Sequence, residues 1–316
     1  MAPPTVSIVV CTYNRASSLG LTLGSLEAQV STPDLRCELV LVDNNSSDAT
    51  QRTITEFAAT ARIPVRSIFV PRQGLSHARN TGIAESHGEI VAFTDDDVDP
   101  LPDWIVNVTA AIRDGRADIV GGRIRPRWQR PPPQWLQNTA FAASALAIME
   151  HATPMRIVDA RVIPSVWGAN MAFRRQVFDT VGVFDPRRGL VGTRLYRGEE
   201  IELVQRALAA GYQAMYDPTA VVWHRIDARR MRLRYLSRLH FQRAEGETLV
   251  DAADRGRRFI GIPLSRCRVA ARALRSWLAG AALRRPDTIE RWLNLCTALG
   301  CVSGVWKQSR RKIWAG

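Results

Sequence analysis

The chain has almost no lysine. Of its 43 Lys+Arg residues only Lys307 and Lys312 are lysines, so its positive charge is nearly all guanidinium. It has no CxxC pair, and its five cysteines, Cys11, Cys37, Cys267, Cys296 and Cys301, are odd in number. That argues for buried structural thiols in a reducing cytosol rather than a disulfide framework. No stretch reaches the ~18 uncharged apolar residues that a transmembrane helix needs. The nearest, Trp292 to Trp306, is shorter and carries Asn294, Thr297 and Ser303. The opening Met1-Ala2-Pro3-Pro4 has no basic n-region, so no signal peptide is expected. Glycine is missing from Cys11–Arg15. A glycine-rich, arginine-containing phosphate loop of the kind a sugar nucleotidyltransferase needs is therefore not found there.

What is present is an ordinary globular composition with an uneven charge. The 316 residues are 46% apolar and 23% charged, with a net charge of +13. Residues 1–220 hold 22 Lys+Arg against 23 Asp+Glu, and residues 221–316 hold 21 against 7. The whole excess sits in the last third, which suggests an anionic partner for that segment.

The first half alternates between strand and helix patterns. Val6–Cys11, Glu38–Val42, Val65–Val70, Glu89–Thr94 and Ala117–Ile124 read as strands. Ser17–Gln29, Asp48–Ala61, Gly74–His87 and Asp103–Arg113 read as the helices between them. This alternation implies a doubly wound α/β layer with a mostly parallel sheet. Arg123–Trp135, with its arginines and Pro131-Pro132-Pro133, reads as an exposed loop. Trp135–Glu150 reads as helical, Ser165–Arg174 as a turn into a strand, Glu199–Ala210 as a helix and Ala214–Trp223 as a strand pair or hairpin element.

The run Val91-Ala92-Phe93-Thr94-Asp95-Asp96-Asp97 ends an apolar strand in three carboxylates. Their repulsion is most simply relieved by a bound hard cation, and Asp95-x-Asp97 puts two carboxylates on one side of an extended segment. The alternative is an acidic turn that caps the next helix. Two further polar clusters follow strands directly: Thr12-Tyr13-Asn14-Arg15 and Asp43-Asn44-Asn45-Ser46-Ser47. Each alone could be a turn. In a sheet of this kind ligands bind outside the carboxyl ends of the strands, and all three clusters lie on that edge.

These residues, in this order, resemble the family 2 glycosyltransferases of GT-A fold. Val6–Arg15 resembles that family's first strand and nucleotide loop, and Leu41–Asp48 its second. Gly74-Leu75-Ser76-His77-Ala78-Arg79-Asn80-Thr81-Gly82 is similar to the helix that approaches the diphosphate. Asp95-Asp96-Asp97 matches its DxD block, and Trp167-Gly168-Ala169-Asn170-Met171 its acceptor-side strand. Gly198-Glu199-Glu200 resembles the start of its catalytic helix, and Trp223-His224 its late metal-ligand histidine.

The resemblance covers about residues 5–225. It implies a nucleotide-sugar half (1–125) and an acceptor half (126–225), followed by a basic helical region (226–316). It further implies nucleotide-sugar contacts from Thr12, Tyr13, Asn14, Arg15, Asp43, Arg79, Asp95 and Asp96, with Asp43 on the base and a UDP-sugar favoured. Acceptor contacts would come from Trp167, Gly168, Ala169 and Asn170. The divalent ion, Mn²⁺ or Mg²⁺, would be held by Asp97, Asp95 and His224. The general base of an inverting transfer is implied at Glu200 or Glu199, where the family usually carries Asp at the second position. Glu reaches about a bond length (~1.5 Å) further. That departure leaves open a catalytically inactive binding subunit at the membrane, beside the nucleotidyltransferase alternative.

Arg266–Arg285 reads as a helix, with Val269, Ala273, Leu274, Trp277, Leu278 and Ala281 toward one face and Arg268, Arg272 and Arg275 toward the other. A basic helix with a Trp-bearing apolar face suits an anionic membrane interface. The alternative is a core-packing helix with a solvated Arg face. The expected place of work is cytoplasmic, peripheral on the inner face of the membrane, with a glycan or lipid-linked acceptor. No nucleic-acid-binding motif is evident.

Overall fold

In the computed structural model of the chain, the described residues are 5–29, 35–137, 140–161, 166–189, 198–250, 258–259 and 261–314. The strands are β1 (Val6–Thr12), β2 (Cys37–Asp43), β3 (Val65–Phe69), β4 (Ile90–Asp95), β5 (Val98–Pro100), β6 (Ile119–Trp128), β7 (Met155–Ile157), β8 (Asn170–Arg174), β9 (Ala214–Ile226), β10 (Arg258–Phe259) and β11 (Ile262–Pro263). The helices are α1 (Ala16–Glu27), α2 (Thr50–Thr60), α3 (Leu75–Glu85), α4 (Trp104–Arg113), α5 (Gln134–Gln137), α6 (Ala140–Ala145), α7 (Arg175–Val181), α8 (Glu199–Ala209), α9 (Leu233–Val250), α10 (Leu264–Ala282) and α11 (Thr288–Trp314).

The main sheet runs β3-β2-β1-β4-β8-β6-β9-β5, with β7 added to β9. Its first four strands are parallel, as the strand–helix alternation predicts: β1 pairs with β2 and β4, and β2 with β3. The inner three, β2, β1 and β4, are largely apolar on both faces because helices cover both, while the edge strand β3 is partly exposed. Val6, Ile8, Val9, Val10, Leu39, Val40, Leu41, Val42, Val91 and Ala92 are fully buried. Crossing to β8 reverses the chain, and β4–β8 and β8–β6 are antiparallel. Asn170 clasps this junction. Its side-chain amide donates to the carbonyls of Arg123 and Ala220, and its carbonyl accepts from the indole of the fully buried Trp104 at 2.8 Å.

Three local expectations are corrected. Residues 123–128 are not loop but the outer half of β6. Their arginines alternate outward, and two stack on Trp223, with Arg125 Cζ 4.8 Å and Arg127 Cζ 5.6 Å from the ring centroid. Residues 135–150 do not form one helix; α5 and α6 are short, and Met149 bridges to Ile124. Residues 214–226 are one long strand, β9, rather than a hairpin. Ser165, the start of the expected turn before β8, lies outside the described residues.

The chain divides into two compact units. The first comprises Met1–Arg127, Ala147–Pro186 and Glu199–Ile226; the second comprises Trp128–Leu146, Arg187–Gly198 and Asp227–Gly316. The first is the sheet with its helices. Within the second, α9, α10 and α11 pack together around Leu236, Leu239, Leu293, Cys296 and Val305. Gly300 lets α11 approach α9 closely, since a Cβ there would lie 2.2 Å from the Phe241 carbonyl oxygen. Among the described residues no helix is long and apolar enough to cross a membrane.

Candidate active site

The carboxyl ends of β1, β2 and β4 carry the three polar clusters to one edge, in register: Thr12 lies opposite Asp43, and Cys11 opposite Asp95. The loop after β1 is tied to the loop after β2. Asn14, at φ 52°, accepts the Ser47 amide on its side-chain oxygen at 2.7 Å, and its own amide donates to the Ser46 hydroxyl at 2.9 Å. Tyr13, in the first of these loops, is half-buried. Asp43 is buried and caps its own loop, with Oδ1 accepting the Ser46 amide at 2.9 Å. Its Oδ2 is buried and has no hydrogen-bond partner, an unsatisfied acceptor of a kind that proteins rarely leave without purpose.

Two arginines approach the acid run, and residues 96 and 97 turn rather than continue the strand. Arg15 Nη1 donates to Asp97 Oδ2 at 2.9 Å and Arg15 Nε approaches Asp96 at 3.7 Å. Asp96 points inward, where the Thr12 hydroxyl donates to it at 2.7 Å. Asp97 Oδ2 also lies 3.5 Å from His224 Nε2. His224 is buried and set beside Val98 by the pairing of β9 with β5. Burial raises the Asp95 and Asp96 carboxyls above the usual range, Asp96 to about 7; Arg79 and Arg15, respectively, hold part of this back. Burial likewise pushes the Cys11 thiol up to about 12, which makes it inert.

Arg79, on α3, is buried rather than presented to solvent. Its Nη1 donates to Glu199 at 2.9 Å and to Glu200 at 3.3 Å, and its Nη2 lies 3.6 Å from Asp95. Phe184 stacks on the guanidinium at 5.4 Å and belongs to a cluster with Phe93, Phe173 and Phe178. Burial opposes the charge, but Glu200, Glu199 and Asp95 outweigh it, so the guanidinium is held more firmly charged than a free one. The Gly168 amide donates to Glu200 Oε1 at 3.1 Å. A Cβ at Gly168 would lie 1.7 Å from Arg79 Nη2, so glycine is required for the guanidinium to sit there.

The structure therefore brings Arg79, Asp95, Glu199, Glu200 and Gly168 into one cluster, and Arg15, Thr12, Asp96, Asp97 and His224 into a second beside it. Of the expected acceptor residues, Asn170 and Ala169 are taken up inside the sheet, the Ala169 carbonyl accepting from Thr94 at 2.9 Å, and Trp167 is buried at the strand entrance. Sequence reasoning missed Arg225. It donates to the Thr22 hydroxyl and to the Ser18 and Val98 carbonyls and pairs with Asp99, pinning the turn after the acids to α1. Its position directly after His224 was the available signal. Among the described residues no group of three or more His, Cys, Asp and Glu is arranged to hold a metal ion.

The sequence profile described as glycosyl transferase family 2 matches residues 7–182, more than half of the chain. The chain belongs to this family. Among its relatives is the glucosyl-dolichyl phosphate glucuronosyltransferase of Haloferax volcanii, 28% identical over 228 residues that span 70% of this chain and 69% of that one. The succinoglycan biosynthesis protein ExoM of Rhizobium meliloti is 24% identical over 250 residues, 78% of this chain and 76% of its own. In three dimensions the chain is similar to a mannosyltransferase of Pyrobaculum calidifontis, solved in complex with GDP-Man and Mn²⁺. The TM-score is 0.62 at 20% identity, covering 97% of this chain and 88% of that one. The fold is GT-A, and this family 2 protein is a glycosyltransferase of polysaccharide or glycoconjugate synthesis.

Proposed function

We propose that this glycosyltransferase inverts the anomeric centre of a UDP-sugar and transfers it to a glycan or lipid-linked acceptor in cell-surface polysaccharide synthesis, working peripherally on an anionic membrane face. The observation that carries the reading is the placement of Glu200 at the start of α8, partly open and fixed on one oxygen by Arg79 and the Gly168 amide. A general base must hold one geometry within hydrogen-bond reach of the acceptor hydroxyl. Glu200 takes the hydroxyl proton as that oxygen attacks the anomeric carbon and the nucleoside diphosphate departs. Arg79 orients the base; its burial argues against a direct role on the diphosphate.

Asp43 Oδ2 supports recognition of the donor base, since a ring N–H flanked by carbonyls, as in uracil, supplies the donor that this atom lacks. Asp97 and His224 suit a divalent ion of the Mn²⁺ or Mg²⁺ type. A carboxylate and an imidazole from the protein would leave the remaining positions to diphosphate oxygens and water; carboxylate, phosphate and water are ligands that Mg²⁺ and Mn²⁺ take, and an imidazole is better suited to a transition metal such as Mn²⁺. Asp95 lies at the edge of the same turn. Bound there, the ion supplies Lewis-acid stabilisation of the leaving diphosphate.

The test is incubation of the purified protein with UDP-, GDP- and dTDP-sugars and Mn²⁺ or Mg²⁺, following donor turnover and the anomeric configuration of the product by NMR. Turnover of a UDP-sugar with inversion is expected. Retention of configuration defeats the base assignment, and turnover of a GDP- or dTDP-sugar alone defeats the donor assignment.

A further inference from the structure

We propose that the outward face of α10 is the surface by which this enzyme lies on an anionic membrane. The inference rests on the membrane reading above and assigns it to one face. From Leu264 to Arg285 the chain carries Arg266, Arg268, Arg272, Arg275, Arg284 and Arg285 and no Asp or Glu. An ordinary solvated helix face mixes signs. This one does not.

The inner side of α10 is already occupied. Trp277 packs against Trp292 of α11 with ring centroids 5.1 Å apart and the rings tilted by 54°. Arg291 of α11 donates to the Ser276 hydroxyl at 2.6 Å and closes over Gly280. Trp277 is therefore packing, not the interfacial anchor that the sequence suggested. The apolar residues left outside are Leu274 (43% exposed), Leu278 (50%), Leu283 (64%) and Val269 (45%). Single exposed leucines need no explanation. Leu274 and Leu278 are one turn apart, with Ala271 a turn before and Ala281 a turn after, so they form a row.

The row lies beside the arginines rather than opposite them. Arg268, Arg272 and Arg275 follow one another at helical spacing along its flank, all exposed. This is the geometry of a helix lying in the plane of a bilayer. The leucines enter the acyl boundary, while the guanidinium groups, on flexible stems, stay level with lipid phosphates. The charge selects the occupant: a basic row on a helix that itself carries no acid is complementary to acidic headgroups and not to a neutral surface. A second copy of α10 would bring arginine against arginine.

The test is flotation of the full chain at low salt with vesicles of phosphatidylcholine, with and without phosphatidylglycerol, and measurement of donor turnover on the same preparation. The intact protein is expected to float only with the anionic vesicles. Arg268→Gln, Arg272→Gln and Arg275→Gln combined should lower partitioning by about a hundredfold, at about fivefold per basic residue. Leu274→Ser with Leu278→Ser should also lower it, and Leu21→Ser, a change at an exposed leucine of the other unit, should not. Hydrogen exchange of the intact protein reads the same contact without substitution, and α10 amides should gain protection with anionic vesicles. Binding unchanged in both α10 variants, or no added protection of α10, overturns the assignment of this face while the enzyme can still bind membrane elsewhere. A protein that turns over donor but floats with neither vesicle overturns it with the catalytic reading intact.

Discussion

Glu199 and Glu200 reach the same guanidinium nitrogen, Arg79 Nη1, at 2.9 and 3.3 Å, but the Glu199 side chain is 2% exposed and that of Glu200 12%. The two acids that sequence leaves equivalent are thus separated by access. Glu199 is the buried counter-ion of Arg79. Glu200 is the more accessible of the two and, in the proposed mechanism, the acid that meets the acceptor. Glu200→Gln is expected to lower kcat by at least ~10²-fold, the scale of a positioned general base, with donor affinity little changed. Glu199→Gln is expected to act on stability instead, because removing one partner of a buried pair costs about 3–5 kcal/mol. Steady-state kinetics and thermal melts on both variants check this. Near-normal turnover in Glu200→Gln with collapse in a folded Glu199→Gln moves the base to Glu199.

Gly168 should tolerate no side chain. Its Cβ would stand 1.7 Å from Arg79 Nη2, and that guanidinium cannot swing aside without leaving Glu199, Glu200 and Asp95. Gly168→Ala is expected to cost about 1–3 kcal/mol, the usual range for overpacking, and to lower kcat together with Tm. A variant with unchanged Tm and kcat would show that Arg79 does not hold the base.

The residues that carry this site were legible unevenly, for physical reasons. The parallel half of the sheet reads directly, because Val6–Cys11, Glu38–Val42 and Glu89–Thr94 are near-continuous apolar runs that end in polar loops. Those loops lie on one edge as the alternation requires. The second half reads poorly. β6 passes from a buried stretch to one with an arginine at every second position, and it is its place in the sheet beside β9, with Arg125 and Arg127 over Trp223, that shows it remains a strand. Asn170 looks like a ligand in sequence, yet the three hydrogen bonds of its side chain all go to the protein, through neighbours 47 to 66 positions away. Arg79 shows no sign in sequence of being buried. Its burial depends on Phe184 and three carboxylates brought from separate segments.

Asp43 should separate donor binding from folding. Its Oδ1 caps the Ser46 amide, while its buried Oδ2 has no partner. Asp43→Asn keeps the cap and turns the second group from acceptor to donor. The loss of a hydrogen bond to a charged group, about 1.5–3 kcal/mol, should appear in nucleotide affinity measured by calorimetry. The melting temperature without nucleotide should hold or rise. An equal loss of unliganded stability would make Asp43 a turn residue and nothing more.

Asp97→Asn is expected to abolish the metal-dependent part of nucleotide binding. Its pair with Arg15 is partly exposed on the arginine side and adds little to folding, so the variant should melt near the native temperature. In the native protein, nucleotide with Mn²⁺ at 100 times its Kd should add about 2.7 kcal/mol of stability. Thermal shift with UDP, with and without Mn²⁺, checks the difference. Full Mn²⁺-dependent stabilisation in the variant removes Asp97 from the metal site.

Glu38 should govern stability in acid from the edge of the sheet away from the site. It stands near the start of β2, where Oε1 accepts the Ser7 hydroxyl and the His87 amide, each at 2.6 Å, and Oε2 lies 3.3 Å from His87 Nδ1. Ser7 in turn accepts the Gly88 amide at 2.8 Å, so this carboxylate fastens the chain entering β4. Burial alone would raise its pKa, but the hydrogen bonds from Ser7 and His87 outweigh it and hold the carboxyl below its ordinary range. A group whose pKa is lower folded than unfolded stabilises the protein above the unfolded value, near 4.3 for Glu. That contribution is lost as pH falls through the folded value. Glu38→Gln should therefore lower Tm at neutral pH, and the gap to the native protein should close below about pH 4. Donor turnover at neutral pH and low temperature should not change. Urea unfolding of both proteins from acid to neutral pH checks the slope, and a gap of constant size across that range would show that Glu38 contributes packing rather than charge.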